Sequence, residues 1–389
     1  MRIALVARLF FRKAYRHLVN ELGKRGHFIE VLCEMSSDFK DFYPQENINF
    51  HFFRGSGRGL GSRLAFNLFV TSTLKNLMSK HPLELVLIEQ EGASGTLPRL
   101  YNLAPMVTYV TQCLPIFPLG KWERASFIKL VKSNLYTGAE ASQLFFSDMI
   151  LFESKSALDV FHPILQRIEK IRSRTYLIPQ GVPTKLYKPM TQSNVEYIDV
   201  QDKRPLILAV PGTLSVWKGV VELLHTVPII VERFPDSLFI IVGRTPPIVD
   251  KIVIEAVDNL IRSKYASHLK FLSNVPLSDL IKLYGAADLF VHASYFESSA
   301  NVVLEAMASA KPAVITQTGL YKELSELSFG GTVTPVGNSF LLSKAIINML
   351  SLDEQSKLNM GNINRQIVEQ HFSVESWADR LEKVFQVLI

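Results

Sequence analysis

A chain of 389 residues is too long for one comfortable hydrophobic core and suits two domains of ordinary size. Its 48% hydrophobic and 20% charged content excludes a disordered chain, and no window reaches the roughly 18 uncharged apolar residues of a membrane span. The net charge of +6 is unevenly spread: 25 Lys and Arg stand against 15 Asp and Glu up to residue 190, and 17 against 21 beyond it.

The chain opens MRIALVARLFFRKAYRHL, whose apolar stretch is broken by Arg8, Arg12, Lys13 and Arg16. That pattern predicts a first strand running into a basic helix, not a signal peptide, and so a cytoplasmic protein, with peripheral contact at the inner face of the plasma membrane. His17 on that helix and His27 at its end read as surface residues. Strands are predicted at 3–7, 28–33, 85–88, 106–110, 149–152 and 176–178, alternating with helical patterns. Cys33 and Cys113 lie in strand-like apolar surroundings and read as small buried residues of a reducing compartment.

After Gly181 a polar stretch, PMTQSNVEYIDVQDKRP, has no clear period and reads as a linker. The alternation then restarts, with strands predicted at 206–210, 238–242, 269–272, 289–291 and 313–315. Two consecutive doubly wound α/β domains are the simplest architecture, with boundaries at 1–188 and 189–371. In the basic first half, residues 8–25, 54–66 and 121–132 interleave cations with aromatic and aliphatic residues. Such segments suit an anionic membrane surface or an anionic acceptor. No nucleic-acid motif accompanies them, so nucleic acid is not an expected partner.

Two stretches of the second half carry chemistry. In LILAVPGTLSVWKGVVELL a strand leads to a turn at Pro211-Gly212-Thr213, and Lys218-Gly219 opens a helix. A glycine turn lets backbone approach an anion, and the lysine supplies a point charge for phosphate. In FVHASYFESSANVVLEAMA a strand ends near Ala293 and a helix is predicted from Ser298 or Ser299, both good capping residues. The first amides of that helix, at Ala300, Asn301 and Val302, are placed to meet phosphate.

Two carboxylates belong to the same stretch. On a helix starting at Ser298, Glu305 would lie about 80° around and about 12 Å along from Glu297. Glu297 has an adequate explanation in the helix dipole alone, at about 0.3–1 kcal/mol. Glu305 interrupts the apolar series Val302, Val303, Leu304, Ala306, Met307 and Ala308, where an ionised carboxylate is costly without a partner; ribose hydroxyls would be natural donors to it. His292 reads as a satisfied core or loop histidine, and no metal-ligating cluster is visible.

Together these segments resemble the retaining glycosyltransferases of the two-Rossmann-domain GT-B type, in particular the family-4-like group 1 enzymes with an E-x7-E motif, here Glu297 to Glu305. YLIPQGVPTKLYKP resembles that family's "IPNGVD…F.P" segment, PGTLSVWKG its "GRL…KG" turn, and LFIIVGRTP its "L.IVG.GP" strand end. SDLIKLYGAADLFVHASYFESSANVVLEAMASAKPAVIT is similar to its signature almost throughout. FSVESWADRLEKVF resembles its terminal helices, which implies that residues about 372–389 pack back on the first domain. The likeness is dense over roughly 170–389 and covers the first half by layout only.

The resemblance implies two domains facing each other across a cleft, with a nucleotide-sugar donor in the second and an acceptor in the first. It implies Lys218 on the diphosphate leaving group, Glu297 on hydroxyls of the transferred sugar and Glu305 on the ribose. Backbone amides of Asn301 and Val302 would meet phosphate, with no metal and no cofactor beyond the donor itself. The implied function is a hexosyltransferase acting on a lipid-linked or polysaccharide acceptor. The alternative is a catalytically silent sugar-nucleotide-binding subunit that docks on a membrane or protein partner.

The sequence departs from the family at several positions. Thr213 stands where the family usually has arginine, and Arg244 is the candidate to supply that charge from another loop. Ala300 replaces a usual glycine, no glycine-rich loop follows the first strand, and Thr111-Gln112 occupy the place of a frequent histidine.

Overall fold

A computed structural model describes residues 1–8, 14–35, 44–55, 60–89, 104–110, 143–160, 168–190, 204–246 and 250–389. Cys113, Thr111-Gln112, the basic segment 121–132 and most of the polar stretch after Gly181 lie outside the described residues. The chain divides into two units, Met1–Gly181 with Val374–Ile389, and Val182–Ser373.

The first unit runs β1 (Arg2–Val6), α1 (Tyr15–Lys24), β2 (Phe28–Glu34), β3 (Ile48–Phe53), α2 (Leu60–Lys80), β4 (Leu85–Glu89), β5 (Met106–Val110), β6 (Met149–Phe152), α3 (Lys155–Val160), α4 (Glu169–Arg172) and β7 (Thr175–Leu177). Its seven strands are all parallel in the order β3-β2-β1-β4-β5-β6-β7. The last helix of the chain, α12 (Val374–Leu388), belongs to this unit. Trp377 on α12 is fully buried, its ring 5.7 Å from that of Tyr15 and 6.0 Å from that of Tyr109.

A polar clamp reinforces this helix. Arg25, just past α1, reaches Asp379 at 2.6 Å and Glu382 at 2.7 Å, while His27 Nε2 lies 2.7 Å from the other Glu382 oxygen. His27 is therefore buried, at 8% exposure, not a surface residue as its place beside a basic helix suggests. His17 is half-buried: burial, helped by Arg16, pushes its imidazole down to about 4. Cys33 is buried and free, its thiol pushed up to about 12 by burial and Glu34.

The second unit runs β8 (Leu206–Thr213), α5 (Val220–Arg233), β9 (Leu238–Arg244), α6 (Lys251–Ile261), β10 (Leu269–Leu272), α7 (Leu277–Ala286), β11 (Leu289–His292), α8 (Asn301–Ala308), β12 (Ala313–Thr316), α9 (Tyr321–Glu326), β13 (Gly331–Thr334), α10 (Ser339–Leu350) and α11 (Glu354–His371). Its strands are parallel in the order β10-β9-β8-β11-β12-β13. Along β8, Leu206, Leu208 and Val210 enter one apolar cluster while Ile207 and Ala209 enter another. A strand buried on both faces needs no polar alternation, which is why these strands read as unbroken apolar runs.

Arg365 of α11 donates to the carbonyls of Thr184 at 2.9 Å and Ala308 at 2.5 Å, and to that of Tyr187. It thereby ties the start of the unit to the end of α8. No helix among the described residues is long and apolar enough to cross a membrane.

Both sheets change crossover direction beside their first strand, in the second unit between β8 and β11. Ligands of doubly wound sheets bind beyond the carboxyl ends of the strands at such a switch point. Two strands escape the sequence reading, β3 and β13. Each is an edge strand with partly exposed residues, so neither carries the apolar run of its neighbours.

Candidate active site

The turn expected at Pro211-Gly212-Thr213 is part of β8. The strand continues to Thr213 past an irregularity between Ala209 and Gly212, where Gly212 takes φ +72°. The register pairs Gly212 with Gly243 and Thr213 with Arg244. Arg244 is thus the direct neighbour of the threonine at the carboxyl edge of the sheet. Its side chain is exposed and forms no ion pair with a described residue.

From there the chain makes one tight turn, Val216–Lys218, before α5. Gly219 ends it at φ +63°, and a Cβ at this position would lie 1.9 Å from the carbonyl oxygen of Ala293. Only glycine lets this turn rest on the end of β11. The Tyr295 amide donates to the Trp217 carbonyl at 2.9 Å, and the Tyr295 hydroxyl to Glu222 in the first turn of α5 at 2.5 Å.

This packing brings Lys218 to Glu297, with Nζ 2.5 Å from Oε1. Ser294 Oγ donates to the same oxygen at 2.9 Å, and His292 Nε2 stands 3.5 Å from it. The backbone is held as firmly: the Glu297 amide donates to Thr318 Oγ1 at 2.6 Å, and its carbonyl accepts from Gly319 at 3.2 Å. Burial alone would raise the carboxyl; His292 and Lys218 outweigh it and push the group from an ordinary 4.5 down to about 2.

A depressed carboxyl adds stability above its unfolded value and loses it as pH falls toward the folded one. Glu297 should therefore contribute roughly 3 kcal/mol above pH 4.5, lost between there and pH 2. Denaturant unfolding at pH 5 and pH 3 tests this: Glu297→Gln should show a smaller acid loss than wild type, and identical losses would deny the carboxylate this role.

The helix expected from Ser298 or Ser299 begins later. Helix α8 starts at Asn301, and its cap is Ala300, in the left-handed region at φ 68° and ψ 57°. The Ser299 hydroxyl donates to Asn301 Oδ1 at 2.9 Å and accepts no helix amide, while its carbonyl accepts from Leu320 at 3.2 Å. The spacing computed from one continuous helix consequently fails. Glu297 lies on the loop before the helix and Glu305 in its second turn.

Alanine in the left-handed region costs about 1–2 kcal/mol, which glycine would not. Asn301 and Val302 open α8, so their amides lie in its first turn. Glu305 is half-buried, and Oε2 accepts from the Tyr284 hydroxyl at 2.8 Å. Burial, then Glu305, pushes that hydroxyl well up, so it donates and does not ionise.

The structure brings Lys218 and Glu297 into contact, places Thr213 beside Arg244, and sets Ala300, Asn301 and Val302 between the two glutamates in the chain. Sequence reasoning missed Ser294, Thr318, Tyr284 and the Tyr295–Glu222 bond, and dismissed His292. Only Ser294 and His292 had a readable signal, being polar residues just before Glu297 at the end of a strand.

Residues 196–367 match the family described as glycosyl transferases group 1. Spore coat protein SA of Bacillus subtilis is 27% identical over 233 residues, 57% of this chain and 61% of that protein. The D-inositol 3-phosphate glycosyltransferase of Corynebacterium diphtheriae is 28% identical over 219 residues, 54% of this chain and 49% of that protein. The chain thus spans about half the length of the curated relatives it matches. Among solved structures, Anabaena HepE in complex with UDP-glucose aligns with a TM-score of 0.75 at 20% identity, covering 100% of both chains. Sucrose-phosphate synthase of Thermosynechococcus elongatus gives 0.77 at 18%, covering 100% of this chain and 99% of that one. These likenesses establish the fold as GT-B, made of two Rossmann-like units.

Proposed function

We propose, for a chain whose residues 196–367 match glycosyl transferases group 1, that it moves a sugar from a nucleotide-diphosphate sugar to a lipid-linked or polysaccharide acceptor, with retention at the anomeric carbon. The Lys218–Glu297 pair at the β8/β11 switch point carries this reading. The bond from the anomeric carbon to the diphosphate breaks, one to the oxygen of an acceptor hydroxyl forms, and the hydroxyl proton passes to the departing diphosphate or to solvent. Negative charge develops on the departing diphosphate, and a preorganised cation stabilises it.

Lys218 supplies that cation, and Arg244 supplies a second one beside the threonine that lacks it. The amides of Asn301 and Val302, in the first turn of α8, add donors for phosphate. Glu297 holds hydroxyls of the transferred sugar and Glu305 those of the ribose. A nucleotide-sugar donor is further supported by the UDP-glucose in the HepE structure, and a lipid acceptor by the name of a 22% identical relative, the alpha-monoglucosyldiacylglycerol synthase of Acholeplasma laidlawii.

Calorimetry with ADP, GDP and UDP, and with the matching nucleosides, tests the site. Lys218→Ala should weaken the nucleoside diphosphate about tenfold to a hundredfold, the value of one charge-assisted hydrogen bond, and the nucleoside hardly at all. Arg244→Ala should add a smaller loss. Equal losses for diphosphate and nucleoside would remove Lys218 from the phosphate site. Tight donor binding with no release of diphosphate to any acceptor or water would leave a sugar-nucleotide-binding subunit.

A further inference from the structure

The proposed donor site has an internal conflict, and its resolution rests on that proposal. Lys218 cannot fully serve a diphosphate while its ammonium stays 2.5 Å from Glu297 Oε1, because the carboxylate already neutralises it. If the ammonium turns away, Glu297 loses its cation at a largely buried position. A charge stripped of its partner in such a place is heavily penalised, and that penalty falls on ligand binding.

Another donor stands at the same oxygen. His292 is 4% exposed, and its Nε2 makes no hydrogen bond although it lies only 3.5 Å from Glu297 Oε1. A well-formed N–H···O bond is about 2.9–3.0 Å, so an approach of roughly half an ångström completes it. The root of the ring is fixed, since His292 pairs with Ile315 in the β11–β12 register and its carbonyl accepts from Thr316 Oγ1 at 3.4 Å. The small movement falls to Glu297, whose Oε1 now leans toward Lys218. Ser294 Oγ donates to that same oxygen at 2.9 Å. A buried ring nitrogen without a partner is costly in a folded protein, and its place beside this carboxylate gives it a purpose.

We propose that His292 is a positioning residue that takes over Glu297 Oε1 when the Lys218 ammonium turns to an anionic diphosphate, and that it thereby sets the affinity of the site for that diphosphate. His292 touches neither ligand nor reacting atoms; it acts through Glu297. Its effect must therefore depend on the charge at position 297, which a purely structural histidine would not require.

A double-mutant cycle reads that dependence, with inorganic pyrophosphate and UDP as calorimetric probes. His292→Leu should weaken both probes about tenfold, and His292→Gln, which keeps a donor, should recover most of the loss. In a Glu297→Gln background no charge is stranded when Lys218 turns away. There His292→Leu should change affinity by less than about twofold. His292→Met serves the same purpose if leucine does not pack.

A tenfold loss in both backgrounds would mean that the ring supports only the fold, and no loss in either would mean that it supports nothing at this oxygen. Both results overturn the role of His292 and leave the donor site standing. Failure of the wild-type protein to bind pyrophosphate or any of ADP, GDP and UDP overturns the donor site, and this inference with it.

Discussion

Glu297→Gln should lower sugar transfer at least tenfold while tightening the nucleoside diphosphate itself. The substitution keeps the size of the side chain and removes its charge. It takes away the contact assigned to the transferred sugar, and a charge-assisted hydrogen bond is worth roughly 1.5–3 kcal/mol, or about tenfold or more in rate. The same change frees the Lys218 ammonium from a carboxylate 2.5 Å away, so a diphosphate need no longer compete for it. Opposite movements of transfer rate and product affinity are the signature of a group that acts on the reacting centre while opposing ground-state binding of the leaving group.

Glu305→Gln should behave differently. Its assigned ribose contact is common to donor and product, so both should weaken together, and the Tyr284 hydroxyl would keep an amide oxygen to donate to. Release of diphosphate from each candidate donor, measured beside calorimetric affinities, separates the two carboxylates. Parallel losses in transfer and diphosphate affinity at Glu297 would contradict its placement against the sugar.

Gly219→Ala should be the most damaging single-methyl substitution at this site. The added Cβ would meet the Ala293 carbonyl oxygen at 1.9 Å, and both partners are backbone, so neither can yield without moving the turn or the strand end. The φ of +63° adds about 1–2 kcal/mol for any residue with a side chain. Together these should cost at least ~3 kcal/mol, lowering the melting temperature by roughly 6–12 °C for a unit of this size. Nucleoside-diphosphate affinity should fall as well, because the same turn carries Lys218. A loss of stability under about 1 kcal/mol would mean that the turn does not rest on β11.

What the sequence disclosed follows from how strongly each feature is written locally. Leu206–Thr213 and Leu238–Arg244 announce themselves because central parallel strands are buried on both faces; only their ends fell short, with Pro211-Gly212-Thr213 read as a turn and Arg244 as a loop residue. Ile48–Phe53 and Gly331–Thr334 stayed hidden because an edge strand needs no apolar run. The start of α8 was misplaced because two serines looked like caps, whereas the backbone reverses at Ala300, a residue that local propensity would never nominate.

The site divides along similar lines. Glu305 was visible as a carboxylate out of pattern, and Glu297 through the E-x7-E resemblance. Their partners were not: Lys218 is 79 residues from Glu297, and Tyr284 is 21 from Glu305. Such pairings are set by sheet order and register, which residue spacing does not encode. Thr213 beside Arg244 is the same lesson, since the register of β8 and β9 sets an arginine next to the threonine 31 positions away in the chain.

The ion pair between Lys218 and Glu297 also bears on which anions the site accepts. A monovalent anion approaching Lys218 can at best exchange one negative neighbour for another, while Glu297 is left to find new donors, so the exchange gains almost nothing. In the proposed donor site a diphosphate would bring several charges spread over several oxygens, and the surplus beyond the first would meet Arg244 and the first amides of α8. Discrimination in the proposed site would therefore arise by valence before any recognition of base or sugar: chloride and other simple ions of the surrounding medium would meet a carboxylate that already occupies the place they would take.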